Sequence, residues 1–423
     1  MSDAEACAGS TTAPPVADAG RRLHLYCAAS LILFLPAFAW FYWPAGGGLD
    51  VSGYPIGRDF INVWSGPRLA FAGKLSTLFD PEAYHVAIGA LFGHALPFHN
   101  WSYPPFALAA FWPLAQLPYF AALAVWTCAG FAAYAAVVLS QVATPQRFRA
   151  LLGLIAAPAC LINAVAGQNG FLSAALLLGG MLCLDRRPVT AGMLLGLLAF
   201  KPQLGLVVPF VLLALRAWRA FAAATMTVCG LVALSVAMFG LESWQQYLQV
   251  TGHYQLLLLE EFRGFYTAMM PSVFAGARSF GLSYPAAMAI QIVVALAVVA
   301  AACMAARRSE DPCIRALTLA TAAPLVTPYV FNYDLTPIAA ALVWMLSGRL
   351  LWRTEWSAVW LLGWLMPLLV LVLNPLGLGL APVVLAVLFW ASMRAAGESP
   401  DTTEDGAARP RAALALLRPA VLG

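Results

Sequence analysis

Charge is what this sequence of 423 residues has least of. Asp, Glu, Lys and Arg together make up 10%, lysine occurs only as Lys74 and Lys201, and histidine occurs five times. The eight cysteines (7, 27, 128, 160, 183, 229, 303 and 313) stand singly, most of them inside apolar runs where a thiol packs as a small hydrophobe, so there is neither a disulfide framework nor a zinc pattern. His85, His94 and His99 are irregularly spaced and read as surface residues, not metal ligands. No Walker loop, HExxH or GxSxG motif occurs, and the loops carry no DxD pair of the kind that holds a divalent ion on a nucleotide sugar. These absences disfavour nucleotide-driven and metal-dependent chemistry, and no metal, cofactor or nucleic-acid partner is expected.

What fills the chain is apolar. Hydrophobic residues make up 62% and the mean hydropathy is +0.80, so the fold class is an all-α polytopic membrane protein. Residues 1–22 are polar and read as a disordered cytoplasmic N-terminus ending in Arg21-Arg22, before an uncleaved first span at 23–43. The acidic tail 396–423 reads as disordered and cytoplasmic. Between them lies one transmembrane domain, 23–395, with two long periplasmic loops at 44–102 and 240–283.

Basic clusters recur between the apolar runs, at 147/149, 186/187, 216/219, 307/308/315, 349/353 and 394. If each is cytoplasmic, all but six of the 23 Lys and Arg lie inside together with both termini. The chain then goes out and returns as hairpins: 150–164 with 170–184, 188–200 with 203–215, 220–239 with 284–306, 315–330 with 334–347, and 355–373 with 376–394. With 23–43 and 119–141 this makes about twelve spans. The run 103–118 is assigned as a re-entrant or interfacial helix.

The outward turns of those hairpins carry nearly every unusual polar group: "GQNG" (167–170), "KPQ" (201–203), "LEEFRGFYTAMMPS" (259–272), "TPYVFNYD" (327–334) and "NPLG" (374–377). Arms of 13 to 16 residues reach only about 20–24 Å against a core of about 30 Å, which sets the tips below the membrane surface in a protein-walled cavity. Lys201 at such a depth is costly unless it meets an anion such as a lipid-linked phosphate; the plainer reading is a lysine snorkelling to headgroups. Gln168 and Asn169 offer amides that suit sugar hydroxyls or phosphate oxygens, or they simply serve the turn.

The segment "GRDF" opens a predicted helix over 58–72, where Asp59 either caps the first turn or, facing a shielded cavity, takes a proton from an attacking hydroxyl. A second helix is predicted at 80–93, amphipathic and lying along the membrane. The stretch "HNWSYPP" (99–105) packs aromatics that suit sugar rings or anchor the interface. Asp334 competes with Asp59 as a catalytic carboxylate, and Glu260, Glu261 and Arg263 form a charge cluster in the second long loop.

Taken in order, "GRDFINVWSGPRLAFAGKLSTLFDPEAYH", "NWSYPPFALAAFWPLAQLPY", "GQNGFLSAALLLGGMLCLDRRPVTAGMLLGLLAFKPQLGLVVPF", "MPSVFAGAR" and "TPYVFNYDL" resemble the bacterial membrane glycosyltransferases of family 87, across residues 25–395. The resemblance implies a GT-C-type fold. It also implies a donor sugar, mannose in the polyprenol-phosphate-mannose-dependent alpha-1,2-mannosyltransferases of that family, carried on a polyprenyl phosphate in the outer leaflet of the bacterial inner membrane. The sugar passes with inversion, and without a metal, to a glycan or glycolipid acceptor. In such enzymes the base is an acidic residue of the first extracytoplasmic loop, and the matching position is Asp59.

From their place at the tips, Lys201, Gln203, Gln168, Asn169, Arg58 and Asn62 are expected around the donor phosphate or sugar. Asn332, Tyr333, Asp334, Tyr103 and Arg263 are expected to line the cavity. Membrane lipids are the other expected neighbours, and the sequence leaves protein partners open. The competing reading is a lipid-linked sugar flippase or another multi-pass transporter, which calls for midmembrane charges open to each side in turn.

Overall fold

Proline and glycine punctuate this chain, and the computed structural model, described over residues 16–262, 264–347, 350 and 357–397, follows that punctuation closely. Pro81, Pro158, Pro188, Pro202 and Pro312 each open a helix, at a position where the missing N–H would have no partner anyway. Asp80 caps Pro81–Phe92 through the amides of Glu82 and Ala83, and Gly93 closes it in the left-handed conformation. Asp311 caps Pro312–Val326 in the same way through Cys313. The helices predicted over 58–72 and 80–93 form as Phe60–Phe71 and Pro81–Phe92, and the run 103–118 contributes the helix Phe106–Ala115. A two-stranded antiparallel hairpin, Pro44–Gly46 with Leu49–Asp50, precedes them. The first helix begins at Val16, ahead of the expected boundary at 23.

The expectation of about twelve spans does not stand. Among the described residues four helices are long and apolar enough to cross a membrane: Gly20–Phe41, Tyr119–Leu139, Trp218–Glu261 and Tyr284–Arg308. A fifth is reached if Thr144–Ala156 and Pro158–Val165, bent by 57°, count as one. The other apolar runs form helices of 10–17 residues. The count takes hairpin arms of 13 to 16 residues as spans, and the arms that open at Pro188, Pro202 and Pro312 form as helices shorter than a membrane crossing needs. The protein is therefore mostly helical and membrane-associated, with short apolar helices packed among a few long ones.

Small residues and aromatic handles hold these helices together. Pro188–Leu197 lies against Trp218–Gln246 so closely that a Cβ at Gly192 would stand 2.2 Å from the Ala220 carbonyl, and one at Gly196 would stand 2.8 Å from that of Ala224. Buried indoles and phenols find partners across helices: Trp364 donates to Ser30 at 2.6 Å, Trp344 to the Val138 carbonyl at 3.0 Å, and Tyr134 to that of Thr336 at 2.9 Å.

The helices Gly170–Cys183, Pro188–Leu197 and Pro312–Val326 share a common polarity of ends. At one end stand Asp185, Arg186, Arg187 and Arg315, with Arg315 paired to Asp185 at 2.9 Å. At the other stand Asn169, Lys201 and Tyr329. The 14 residues of Gly170–Cys183 separate the two ends by about 21 Å.

Candidate active site

The chain enters the polar end through Gly57 and Arg58, both left-handed, at φ 86° and 34°. Glycine tolerates that conformation, whereas arginine is held in it by what its side chain meets. The Arg58 guanidinium pairs with Asp50 at 2.9 Å, donates to the Phe41 carbonyl, and lies over the rings of Tyr42 and Tyr54. Asp50 in turn accepts from the amides of Ser52 and Tyr54. Arg58, expected at the donor phosphate, is therefore fully engaged inside its own loop. Asn62 is likewise turned inward, accepting from the Tyr84 hydroxyl at 2.7 Å.

Asp59 stands at the N-terminus of Phe60–Phe71 and makes no capping bond to it. Its half-buried carboxylate accepts a hydrogen bond from the side-chain amide of Gln168 instead. Of the two roles open to it in the sequence, capping is thus excluded.

Gln168 reaches Asp59 because two backbones touch. Gly167 is left-handed at φ 59°, and a Cβ there would fall 2.3 Å from the Gly57 carbonyl oxygen and 2.6 Å from Cβ of Phe60. Trp126 secures the turn by donating to the Gly167 carbonyl at 3.0 Å. Gly170 is as tightly enclosed, with its amide on Asn163 Oδ1 at 2.6 Å. Both glycines of the GQNG tip therefore serve close approach as well as the turn.

Asn169 links the next three groups. Its Oδ1 accepts from Lys201 Nζ at 3.0 Å, and its Nδ2 donates to the Tyr103 hydroxyl at 3.0 Å. Lys201, 6% exposed, also meets Asp334 Oδ1 at 2.5 Å and lies over the Tyr333 ring at 4.7 Å. Snorkelling to headgroups is excluded by that burial. The second Asp334 oxygen accepts the Phe331 amide at 3.0 Å. Asn332 is structural, donating to the Pro367 carbonyl at 2.9 Å while accepting the Tyr333 amide. Gln203 is half-buried in the first turn of Pro202–Gly205, without a side-chain hydrogen bond among the described residues. Arg263 lies outside the described residues.

Phenols surround the two carboxylates. Tyr266 and Tyr329 share a hydrogen bond between their hydroxyls at 2.5 Å, and Phe331 packs against both rings and stacks on Tyr333. Burial pushes the Tyr103 and Tyr329 hydroxyls well above the usual phenol range, and the charges of Asp59 and Asp334 push them further. They stay protonated at neutral pH, so each keeps a hydrogen to donate. Tyr266, in the short helix Gly264–Ala268, and Tyr329 lie in tips that the sequence marks out, but their meeting was not legible because they are 63 residues apart in the chain.

His99 corrects an expectation. It is buried, not on the surface, with Nδ1 on the Pro97 carbonyl at 2.7 Å and Nε2 without a partner among the described residues. Burial lowers its pKa, opposed by the nearby Asp59 charge. Irregular histidine spacing argues against metal ligation but carries no information on burial. Among the described residues no three His, Cys, Asp or Glu side chains are grouped to hold a metal ion.

No curated protein and no solved structure matches this chain. A family model does: glycosyltransferase family 87, over residues 101–328. The matched segment takes in Tyr103, the GQNG tip, Lys201 and Tyr266, and leaves Asp59, Tyr329 and Asp334 on either side of it. With more than half of the sequence matched, and with amides, phenols and a buried lysine gathered at one end of its helices, the chain belongs to glycosyltransferase family 87 and is a membrane-associated glycosyltransferase.

Proposed function

We propose that the enzyme transfers a sugar, mannose foremost, from a polyprenyl phosphate to a hydroxyl of a glycan or glycolipid on the periplasmic face of the bacterial inner membrane. In this reaction Asp59 is the general base. The acceptor oxygen attacks the anomeric carbon from the side opposite the lipid phosphate and forms the new C–O bond, while its proton passes to the Asp59 carboxylate. The bond from the anomeric carbon to the phosphate oxygen breaks, and the electron pair leaves with the phosphate. Inversion follows from a single displacement.

The observation that carries this reading is the division between the two carboxylates. Asp334 is saturated by Lys201 and a backbone amide. Among the described residues Asp59 neither caps its helix nor pairs with a cation, and it accepts from one neutral amide. A carboxylate so held keeps a lone pair for an incoming proton. Lys201, Asn169 and Gln203 belong on the donor side, and Tyr103 and Tyr333 on the walls between.

Asp59→Asn preserves an acceptor for the Gln168 amide and removes the base. Turnover, followed as glycan product and released lipid phosphate over a panel of polyprenyl-phosphate sugars, should fall by about 10²–10⁴-fold with donor binding retained. Normal turnover by this variant would transfer the role to another carboxylate. Movement of lipid-linked sugar across vesicles with no turnover on any donor would favour the flippase reading.

A further inference from the structure

Lys201, the one buried ammonium among the described residues, arrives at the site already matched. Asp334 balances its charge at 2.5 Å, and Asn169 takes a second N–H. A lipid phosphate leaving with a new electron pair therefore meets little uncompensated positive charge at Lys201 itself.

The hydrogen bonds beyond Lys201 all run in one direction. The ammonium donates to Asn169 Oδ1 at 3.0 Å, which fixes the amide's orientation, since only its oxygen can accept. The Asn169 Nδ2 then donates to the Tyr103 hydroxyl oxygen at 3.0 Å. Tyr103 thereby uses its oxygen as an acceptor, and its own proton has no acceptor among the described residues. The ring is held edge-on to Trp101 and Phe111, with centroids 5.4 Å and 5.5 Å away. A chain that begins at a cation and passes through a polarised amide leaves the last O–H a stronger donor than an isolated phenol.

Two further phenolic protons are equally unclaimed. The Tyr266–Tyr329 pair uses only one of its two hydroxyl hydrogens, and the Tyr333 hydroxyl makes no hydrogen bond among the described residues. A wall that offers hydrogens and few acceptors fits a ligand that has acceptors only. A phosphate monoester meets that description better than a sugar, whose hydroxyls both donate and accept.

We infer that Lys201, Asn169 and Tyr103 form a donor relay whose terminal Tyr103 O–H binds a non-bridging oxygen of the leaving lipid phosphate. Asn169 and Asp334 are positioning residues in this arrangement: Asn169 transmits the polarisation and Asp334 fixes the ammonium that starts it. The inference rests on the lipid-phosphate donor proposed above. It assigns the stabilisation of the leaving group to a neutral donor of a kind that oxyanion sites use.

The test measures binding of farnesyl phosphate, farnesol and inorganic phosphate to the purified full chain in detergent. Wild type should hold farnesyl phosphate more tightly than either control. Tyr103→Phe and Asn169→Leu should each weaken farnesyl phosphate binding about tenfold, leaving farnesol unchanged, and the double variant should be no worse than either single one. Site-specific 3,5-difluorotyrosine at position 103, a stronger donor of the same shape, should tighten binding and so keeps the test open if a truncating variant fails to fold. Unchanged binding in Tyr103→Phe or the fluorinated protein, or additive losses in the double variant, would overturn the relay alone. Wild type binding farnesol or inorganic phosphate as tightly as farnesyl phosphate would overturn the relay and the lipid-phosphate reading together.

Discussion

Asp59 and Asp334 both act on one nest of tyrosines, and their own surroundings differ. Asp334 holds an ammonium in a place where an unpaired charge would be expensive. Asp334→Asn leaves Lys201 buried against a neutral amide, and the protein should lose about 3–5 kcal/mol, seen as a lower apparent melting temperature in detergent. Replacing both partners, as Lys201→Met with Asp334→Leu, should recover part of that loss, because an apolar pair needs no desolvation of charge. Equal melting of Asp334→Asn and wild type would mean the pair contributes nothing. The polar residues themselves were legible in the sequence, since a charge inside an apolar run calls for a reason. Their pairing was not: Lys201 and Asp334 are separated by 133 residues, and the order of tips along a chain does not say which tips touch.

Elements tell the same story in lengths. The helices Phe60–Phe71 and Pro81–Phe92 were legible because Asp80-Pro81 and Gly93 are local signals that act within a turn. The spans were overcounted because each short arm counted as a full crossing, whereas a helix needs about 20 residues to span the hydrocarbon core. Short helices such as Gly170–Cys183 bring their polar tips to one end, where Gly167 lets the GQNG turn settle on the Gly57 carbonyl. Gly167→Ala pushes a methyl into that carbonyl from a left-handed backbone. It should displace Gln168 from Asp59 and lower kcat at least tenfold while leaving farnesyl phosphate binding within about twofold. A variant with unchanged kcat would show that the amide does not orient the carboxylate.

For the whole molecule, the arrangement of its two ends makes a statement about sidedness. Lys74 is exposed in the first long loop, and Arg187 is exposed beside the Asp185–Arg315 pair at the basic end. In a background with the native cysteines replaced, Lys74→Cys should react with a membrane-impermeant maleimide added to intact spheroplasts. Arg187→Cys should react only after the membrane is opened. The opposite pattern would invert the proposed orientation. The seam between Gly57 and Gly167 has a mechanical consequence as well. It is a contact of main chain on main chain, without rotamers to flip, so the two backbone segments that carry Asp59 and Gln168 cannot slide past one another by side-chain rearrangement alone. Tyr266 and Tyr329, by contrast, meet through a hydroxyl hydrogen bond and their rings, a contact that rotation about side-chain bonds alone can open.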